Sequence, residues 1–117
     1  HINRTPAAGD VVRVAYQPGT FLPAYRRESF RNERSEIWLD HAGTPIVFRQ
    51  VVGILARRVV CRVKPGDRLA AGAKIGLMKF GSRMDVFVPA AAELRVRPGQ
   101  KVRAGVTVIA SLGPAEA

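Results

Sequence analysis

Short apolar runs separated by Gly and Pro turns follow one another along the chain, with little sustained helical periodicity. Runs of this length, rich in Val and Ile, are typical of half-buried β-strands. The pattern therefore predicts one all-β domain over residues 1–117. The predicted strands are Asp10 to Tyr16, Ile46 to Val52, Arg57 to Val63, Asp85 to Val88, Glu93 to Arg97 and Val106 to Ser111.

The segment from Leu22 to Asp40 departs from this pattern. It is rich in Arg, Glu, Asn and Ser, and it predicts a long polar loop or a short helix that covers a site. Composition alone makes its Asn32-Glu33-Arg34 a solvated charge cluster.

The second half of the chain contains an internal repeat. The run Arg62-Val63-Lys64-Pro65-Gly66-Asp67 recurs as Arg95-Val96-Arg97-Pro98-Gly99-Gln100, at an offset of 33 residues that also relates Ala71-Gly72 to Ala104-Gly105. A strand, a Pro-Gly turn and a second Gly turn, repeated, indicate two similar β-hairpin units packed face to face. We therefore predict a flattened β-barrel or sandwich similar to biotinyl and lipoyl carrier domains.

Charge narrows the class of partner. Lys and Arg number 19 against 9 Asp and Glu, a formal net charge of +10, so the expected partner is an anionic surface. Nucleic acid is not expected, because the chain lacks a zinc-finger spacing, a basic helix and aromatics interleaved with basic residues. The arginines are scattered through β-like segments, which favours a lipid headgroup surface or plain solubility.

Two further classes of protein are not expected. The single Cys61 lies in an apolar run and excludes an internal disulfide framework. No stretch approaches the roughly 20 apolar residues that span a bilayer, and we expect no signal peptide within these residues. We expect no transmembrane segment in this chain and no metal site.

The tetrapeptide Phe80-Gly81-Ser82-Arg83 carries candidate chemistry. A serine hydroxyl in a tight turn can attack the preceding carbonyl and convert the peptide bond into an ester, and a glycine before it allows the sharp bend. Elimination from this ester and hydrolysis would leave a pyruvoyl group, a ketone that serves as an electron sink. Gly-Ser alone is common in ordinary turns, so this hypothesis needs support from other residues.

Several other motifs supply that support. They are His1-Ile2-Asn3-Arg4-Thr5-Pro6 with Gly9, Tyr16-Gln17-Pro18-Gly19 with Phe21 and Ala24, Asn32-Glu33-Arg34, Gln50-Val51-Val52-Gly53 with Ala56-Arg57-Arg58, and Phe80-Gly81-Ser82-Arg83-Met84-Asp85-Val86 with Pro89. In this order they resemble the short form of the phosphatidylserine decarboxylase family.

The resemblance implies a self-processing proenzyme. Cleavage between Gly81 and Ser82 would give a chain of residues 1–81 and a chain of residues 82–117 that begins with pyruvoyl derived from Ser82 and stays tightly bound to the first. The mature enzyme would decarboxylate phosphatidylserine to phosphatidylethanolamine and carbon dioxide through a Schiff base. We expect it at the cytoplasmic side of a bacterial cell membrane, peripheral or anchored, with exposed strand edges that allow a homodimer.

The resemblance also assigns His1 a proton-transfer role. Because the chain begins at His1, inside a motif, we expect the full-length proenzyme to carry an amino-terminal segment before it, together with any membrane anchor. In the long bacterial form of the family a second histidine stands where this chain has Arg4, which leaves the base for self-cleavage open. His41, beside a turn, is the reserve candidate for that base, although a surface turn histidine is the more ordinary interpretation.

The substrate-binding candidates are cationic or polar. Arg4 and Arg83 suit a carboxylate or phosphate, and strand alternation lets only one of Arg57 and Arg58 face the site, with Arg57 preferred. The family motif adds Asn32 and Arg34.

The main alternative is a carrier domain. Leu77-Met78-Lys79-Phe80 is similar to the Met-Lys-Met turn that bears biotin, and Lys79 would then be the attachment site. Phe80 replaces the second methionine, and this hypothesis leaves His1 to Pro6 and Asn32 to Arg34 unexplained.

Overall fold

The computed structural model describes residues 2–25, 31–53, 59–78 and 81–112. These residues form an all-β fold, as the apolar pattern predicts. Its strands are β1 (Ile2–Arg4), β2 (Gly9–Gln17), β3 (Arg34–His41), β4 (Thr44–Val51), β5 (Val59–Cys61), β6 (Arg68–Leu69), β7 (Lys74–Met78), β8 (Arg83–Phe87), β9 (Glu93–Leu94) and β10 (Ala110–Ser111).

The largest sheet contains five antiparallel strands in the order β6-β2-β3-β4-β8, and it curls into half of a flattened barrel. A three-stranded sheet, β1-β7-β5, and the pair β9-β10 complete the fold. Since strand side chains alternate between faces, one face of the large sheet supplies most of a core to which β7 adds Ile75. The buried core residues are Val11, Ile37, Leu39, Ile46, Phe48 and Ile75.

The expectation of a polar loop or short helix over Leu22 to Asp40 is wrong for its second half. Residues Arg34–His41 form β3, the central strand of the large sheet. Ile37 and Leu39 are buried there, whereas Trp38 between them and Asp40 after them are exposed. The outward residues are mostly charged, so overall composition hid a two-residue alternation that the inward positions carry.

The other strand predictions differ mainly in extent. The strands at Asp10 to Tyr16, Ile46 to Val52 and Asp85 to Val88 are confirmed as β2, β4 and β8 within a few residues. Three others are shorter than predicted, at β5, β9 and β10, and residues 54–58 lie outside the described part. The pattern missed β1, β6 and β7, because two are very short and β7 places Gly76 beside Ile75 instead of alternating.

The internal repeat is visible in the turns. Asp67 N donates to the Lys64 carbonyl at 3.1 Å, and Gln100 N donates to the Arg97 carbonyl at 3.1 Å. The side chains repeat as well, since Lys64 N donates to Asp67 Oδ2 at 3.0 Å and Arg97 N donates to Gln100 Oε1 at 3.2 Å. Both turns therefore have the same hydrogen bonds.

No helix within the described residues is long and apolar enough to cross a membrane.

Candidate active site

Gly81 and Ser82 lie where the chain passes from one sheet to the other. β7 ends at Met78 in the three-stranded sheet, and β8 begins at Arg83 on the edge of the large sheet. Gly81 is exposed with a φ of 89°, in the left-handed region that costs other residues conformational energy, and Ser82 is half-buried. Ser82 therefore lies at the crossing between the two sheets.

The carbonyl of Gly81 packs directly against Gly53. A Cβ built on Gly53 would lie 2.1 Å from the Gly81 carbonyl oxygen and 3.6 Å from the Ala24 Cβ. Gly53 and Ala24 are both buried. The predicted cleavage breaks the peptide bond between Gly81 and Ser82. The carbonyl oxygen of this peptide group thus occupies the space that a side chain at position 53 would need.

Asn32 joins the segment before Ala24 to the segment before Gly53. Its side chain is fully buried. Its Nδ2 donates to the Leu22 carbonyl at 2.7 Å and to the Val52 carbonyl at 2.9 Å, while its Oδ1 accepts from Leu22 N at 3.1 Å and from the Thr20 hydroxyl at 2.8 Å. An amide with both donors and its acceptor paired in the interior is a structural clamp, not a solvated charge.

Arg83, directly after Ser82, is held by two partners. Its Nε and Nη2 donate to the Asp85 carboxylate at 2.7 and 3.2 Å, and its Nη1 donates to the Ala24 carbonyl at 2.5 Å. Arg34 and Arg83 pair with Val51 from opposite sides, so both lie on the outer face of the large sheet. Arg34 Nη1 also donates to the Asn32 carbonyl at 3.2 Å.

The first motif of the chain is tied to the same region. β1 runs antiparallel to β7 with Ile2 opposite Leu77, so its amino end lies beside the end of β7 that leads to Gly81. The buried Asn3 accepts a hydrogen bond from Gln50 Nε2 at 2.8 Å, which links β1 to β4. His1 itself lies outside the described residues.

Two predicted site residues are placed elsewhere. Arg4 donates from Nη1 to the Gly72 carbonyl at 2.9 Å, and its Cδ lies 3.1 Å from a Cβ built on Gly105, so it bridges two equivalent turns of the repeat.

His41 lies at the other end of β4 from Arg83, about 23 Å away for seven residues of strand. Its Nδ1 is 2.6 Å from the Ala8 carbonyl, which requires a proton on that nitrogen. The structure does not bring His41 to Ser82, and Arg57 and Lys79 lie outside the described residues.

A model of the family described as phosphatidylserine decarboxylase matches residues 1–110. The chain belongs to the phosphatidylserine decarboxylase family. Among curated relatives, it is 49% identical over 111 residues to the phosphatidylserine decarboxylase proenzyme of Solibacter usitatus (strain Ellin6076), covering 94% of this chain and 54% of the relative. The proenzyme of Novosphingobium aromaticivorans is 50% identical over 117 residues, covering 98% of this chain and 46% of the relative. The proenzyme of Salinibacter ruber is 46% identical over 111 residues, covering 93% and 49%.

The chain thus spans about half the length of the curated relatives it matches. No solved structure matches it significantly. The family match includes both sides of the Gly53–Gly81 contact and the Asn32 clamp.

Gln50-Val51-Val52-Gly53 belongs to the motifs that resemble the family, but the sequence alone assigns no role to Gly53 or Gln50. The sequence offers one indication of a role for Gly53: it is a glycine at the end of an apolar strand, where glycine suggests that another backbone segment approaches closely. Which backbone approaches it is decided by the packing of β8 on β4, and that is not readable from local pattern.

The outer face of the large sheet carries aromatic side chains next to arginines. Trp38 and Phe87, 41% and 47% exposed, pair with Val47 from its two sides. The guanidinium of Arg13 lies 5.5 Å from the Trp38 ring centroid, and that of Arg49 lies 4.7 Å from the Phe87 centroid. We refer to Arg13, Trp38, Val47, Arg49 and Phe87 as the aromatic–arginine face.

Proposed function

We propose that this chain is the self-cleaving part of a phosphatidylserine decarboxylase, folded as one domain and cut between Gly81 and Ser82 into chains 1–81 and 82–117. The observation that carries the proposal is the turn itself. Gly81 has a left-handed φ of 89° immediately before the serine, and its carbonyl oxygen is packed on Gly53. A sharply turned peptide with an oriented carbonyl suits attack by the neighbouring hydroxyl.

The proposed cleavage needs no reactant other than water. Ser82 Oγ bonds to the Gly81 carbonyl carbon, the bond from that carbon to Ser82 nitrogen breaks, and the hydroxyl proton passes to the nitrogen. Loss of the Ser82 Cα proton then breaks its Cβ–Oγ bond and releases residues 1–81 with a carboxylate. Water replaces the nitrogen of the remaining unsaturated residue, and ammonia and a pyruvoyl group result.

The two products would remain one folded unit. β8 belongs to the second product and is hydrogen-bonded to β4 of the first along the edge of the large sheet, from Val51 opposite Arg83 to Val47 opposite Phe87. Met84 and Val86 pack against the core. The cleaved chain is therefore the expected tight partner.

A pyruvoyl group would lie at position 82, directly before β8, because Ser82 itself supplies its atoms, and the new Gly81 carboxylate would lie beside Gly53. When formed, this ketone would condense with the substrate amine as a Schiff base and accept the electrons released with carbon dioxide. His1 is our candidate for protonating the product carbon, as the family motif implies; Ile2 after it lies opposite Leu77, beside the end of β7 that leads to Gly81. Arg34 and Arg83 would give a positive potential for the substrate carboxylate and phosphate, while Asn32 holds the surrounding backbone.

We further propose an anionic membrane surface, at the cytoplasmic side of the bacterial membrane, as the place of action. Support comes from the net charge of +10 and the aromatic–arginine face. Aromatic rings suit the headgroup level of a bilayer, and arginines suit acidic lipids.

The carrier hypothesis, with Lys79 modified, is not favoured. The family match and the relatives named above are decarboxylases, not carriers, and the match covers residues 1–110.

Denaturing intact-mass measurement tests the proposal. It would be applied to the chain alone and to a chimaera in which the chain replaces the matching residues of the Solibacter usitatus proenzyme. We expect two fragments divided at Gly81/Ser82, the smaller blocked to Edman degradation, and decarboxylation of phosphatidylserine by the cleaved form. Ser82→Ala should abolish both fragments and activity, whereas Ser111→Ala, a matched change in β10, should retain them. Intact chains in both proteins would refute the proposal, as would decarboxylation by Ser82→Ala.

A further inference from the structure

Gly53 has no chemistry of its own, yet it touches the carbonyl at which cleavage is proposed. We propose that Gly53 is a positioning residue for self-cleavage, because the missing side chain admits the Gly81 carbonyl oxygen and holds it in one orientation. This inference rests on the proposed cleavage at Gly81–Ser82 and adds a required residue to it.

The contact is too close for any side chain at position 53. A Cβ there would lie 2.1 Å from the Gly81 carbonyl oxygen and 3.2 Å from its carbon, and real Cβ atoms essentially never come within 3.0 Å of another heavy atom. Both nearest atoms belong to backbone, so no side chain can swing aside to relieve the clash. An alanine must displace one of the two backbone segments.

The segment that carries Gly53 is held more firmly than the turn. Val52 N donates to the Glu33 carbonyl at 3.1 Å, and the Val52 carbonyl accepts from Asn32 Nδ2 at 2.9 Å. Both Val52 and Gly53 are buried, whereas Gly81 is exposed. The Gly81 peptide is therefore the segment that would move.

Such a movement would act on the first chemical step. Attack by Ser82 Oγ requires the Gly81 carbonyl to present one face to the hydroxyl, and this carbonyl is the group that Gly53 holds. Misplacement of reacting groups by about 1 Å costs about 100-fold in rate. We expect Gly53→Ala to cleave about 100-fold more slowly than the wild type.

The experiment follows cleavage by intact mass in the chain or chimaera that cleaves, comparing wild type, Gly53→Ala and Gly9→Ala. Gly9→Ala is the matched control, because a Cβ there meets the Asp40 carbonyl oxygen at 2.4 Å, in the half of the sheet that contains His41. Near-UV circular dichroism of Trp38 and urea unfolding measure the fold of each variant. Hydroxylamine, which cleaves esters but not amides, reports whether the ester at Ser82 has formed.

We expect Gly53→Ala to stay largely intact and insensitive to hydroxylamine, while Gly9→Ala loses stability but cleaves at the wild-type rate. A merely structural role would instead slow both variants in proportion to their lost stability, and that result would overturn the inference. Wild-type cleavage by Gly53→Ala, or its rapid scission by hydroxylamine, would overturn it too and leave the proposed function standing. A wild type that never cleaves refutes the proposed function itself and leaves Gly53 nothing to position.

If Gly53→Ala does not fold, a crystal structure of the uncleavable Ser82→Ala protein decides the question. A Gly81 carbonyl packed on the Gly53 Cα supports the inference, and a carbonyl turned away from it overturns the inference.

Discussion

At the scale of single residues, Asn32 shows how one side chain organises the candidate site. It fastens Leu22, before the turn at Ala24, to Val52, before Gly53. Gly53 in turn contacts Gly81, so the amide lies two contacts away from the bond proposed to break. The conformation of the Asn32 side chain is fixed, because burying an amide with unpaired atoms would cost free energy.

Asn32→Ala should lower the free energy of unfolding by about 2–4 kcal/mol, because it leaves the buried Val52 carbonyl and the half-buried backbone groups of Leu22 without partners. Urea unfolding followed by Trp38 fluorescence measures the change. The control is Gln17→Ala at an exposed amide, which should change stability by at most about 0.5 kcal/mol. Equal effects from the two variants would show that Asn32 is not a clamp.

At the scale of elements, the charged side chain of Glu36 joins two neighbouring strands of the large sheet. Glu36 on β3 accepts from Arg49 Nε on β4 at 2.7 Å and from Trp38 Nε1 at 2.6 Å. Burial raises the pKa of the Glu36 carboxyl, but the hydrogen bonds from Trp38 and Arg49, with the charges of Arg49 and Arg34, outweigh burial and lower the pKa overall.

A lowered pKa in the folded state means that ionised Glu36 adds stability above the unfolded pKa, and that this stability is lost as pH falls through the folded pKa. Glu36→Gln should therefore lower the free energy of unfolding by about 1 kcal/mol at pH 7. The difference from wild type should shrink below about pH 4, near the ordinary pKa of glutamate. Urea unfolding between pH 3 and pH 7 measures it.

The control for Glu36 is Glu93→Gln. Glu93 lies 3.8 Å from Arg95, and both side chains are mostly exposed. It should show little effect at any pH, because exposed ion pairs contribute little. A Glu36→Gln penalty that stays constant from pH 3 to pH 7 would contradict the proposed charge effect.

At the scale of the whole molecule, charge and shape combine on one surface. The chain carries a net charge of +10, and the aromatic–arginine face brings together rings and guanidinium groups that are far apart in sequence. The chain has a single tryptophan, and it lies on this face. Its fluorescence therefore reports directly on whether the face contacts a bilayer.

We expect Trp38 emission to shift to shorter wavelength with vesicles of phosphatidylcholine and phosphatidylglycerol, and not with phosphatidylcholine alone. Added salt should reverse the shift. Phe87→Ser should weaken binding to the acidic vesicles about tenfold, because it removes a ring that the bilayer would bury on binding. Leu94→Ser, an exposed apolar residue of β9, is the control and should bind as the wild type does. Equal binding to neutral and acidic vesicles would contradict the proposed surface.

Local pattern was enough for much of the fold. Strands β2, β4 and β8 follow from alternating apolar residues, because each strand buries one face whatever its neighbours are. The repeated turns at Gly66 and Gly99 follow from Pro-Gly spacing, since their hydrogen bonds are formed within four residues. The Gly81-Ser82 pair marks the candidate cleavage point only together with the other family motifs, because Gly-Ser alone is common in ordinary turns.

Only the tertiary structure decided the parts that depend on distant contacts. It made Arg34–His41 a central strand, turned Asn32 from a charged-cluster residue into a buried clamp, and placed His41 at the far end of β4 from Ser82. It also packed Gly53 on a carbonyl 28 residues later in the chain. These results follow from which strands pair and in what register, and that choice rests on the burial of the whole core, which no local window of sequence contains.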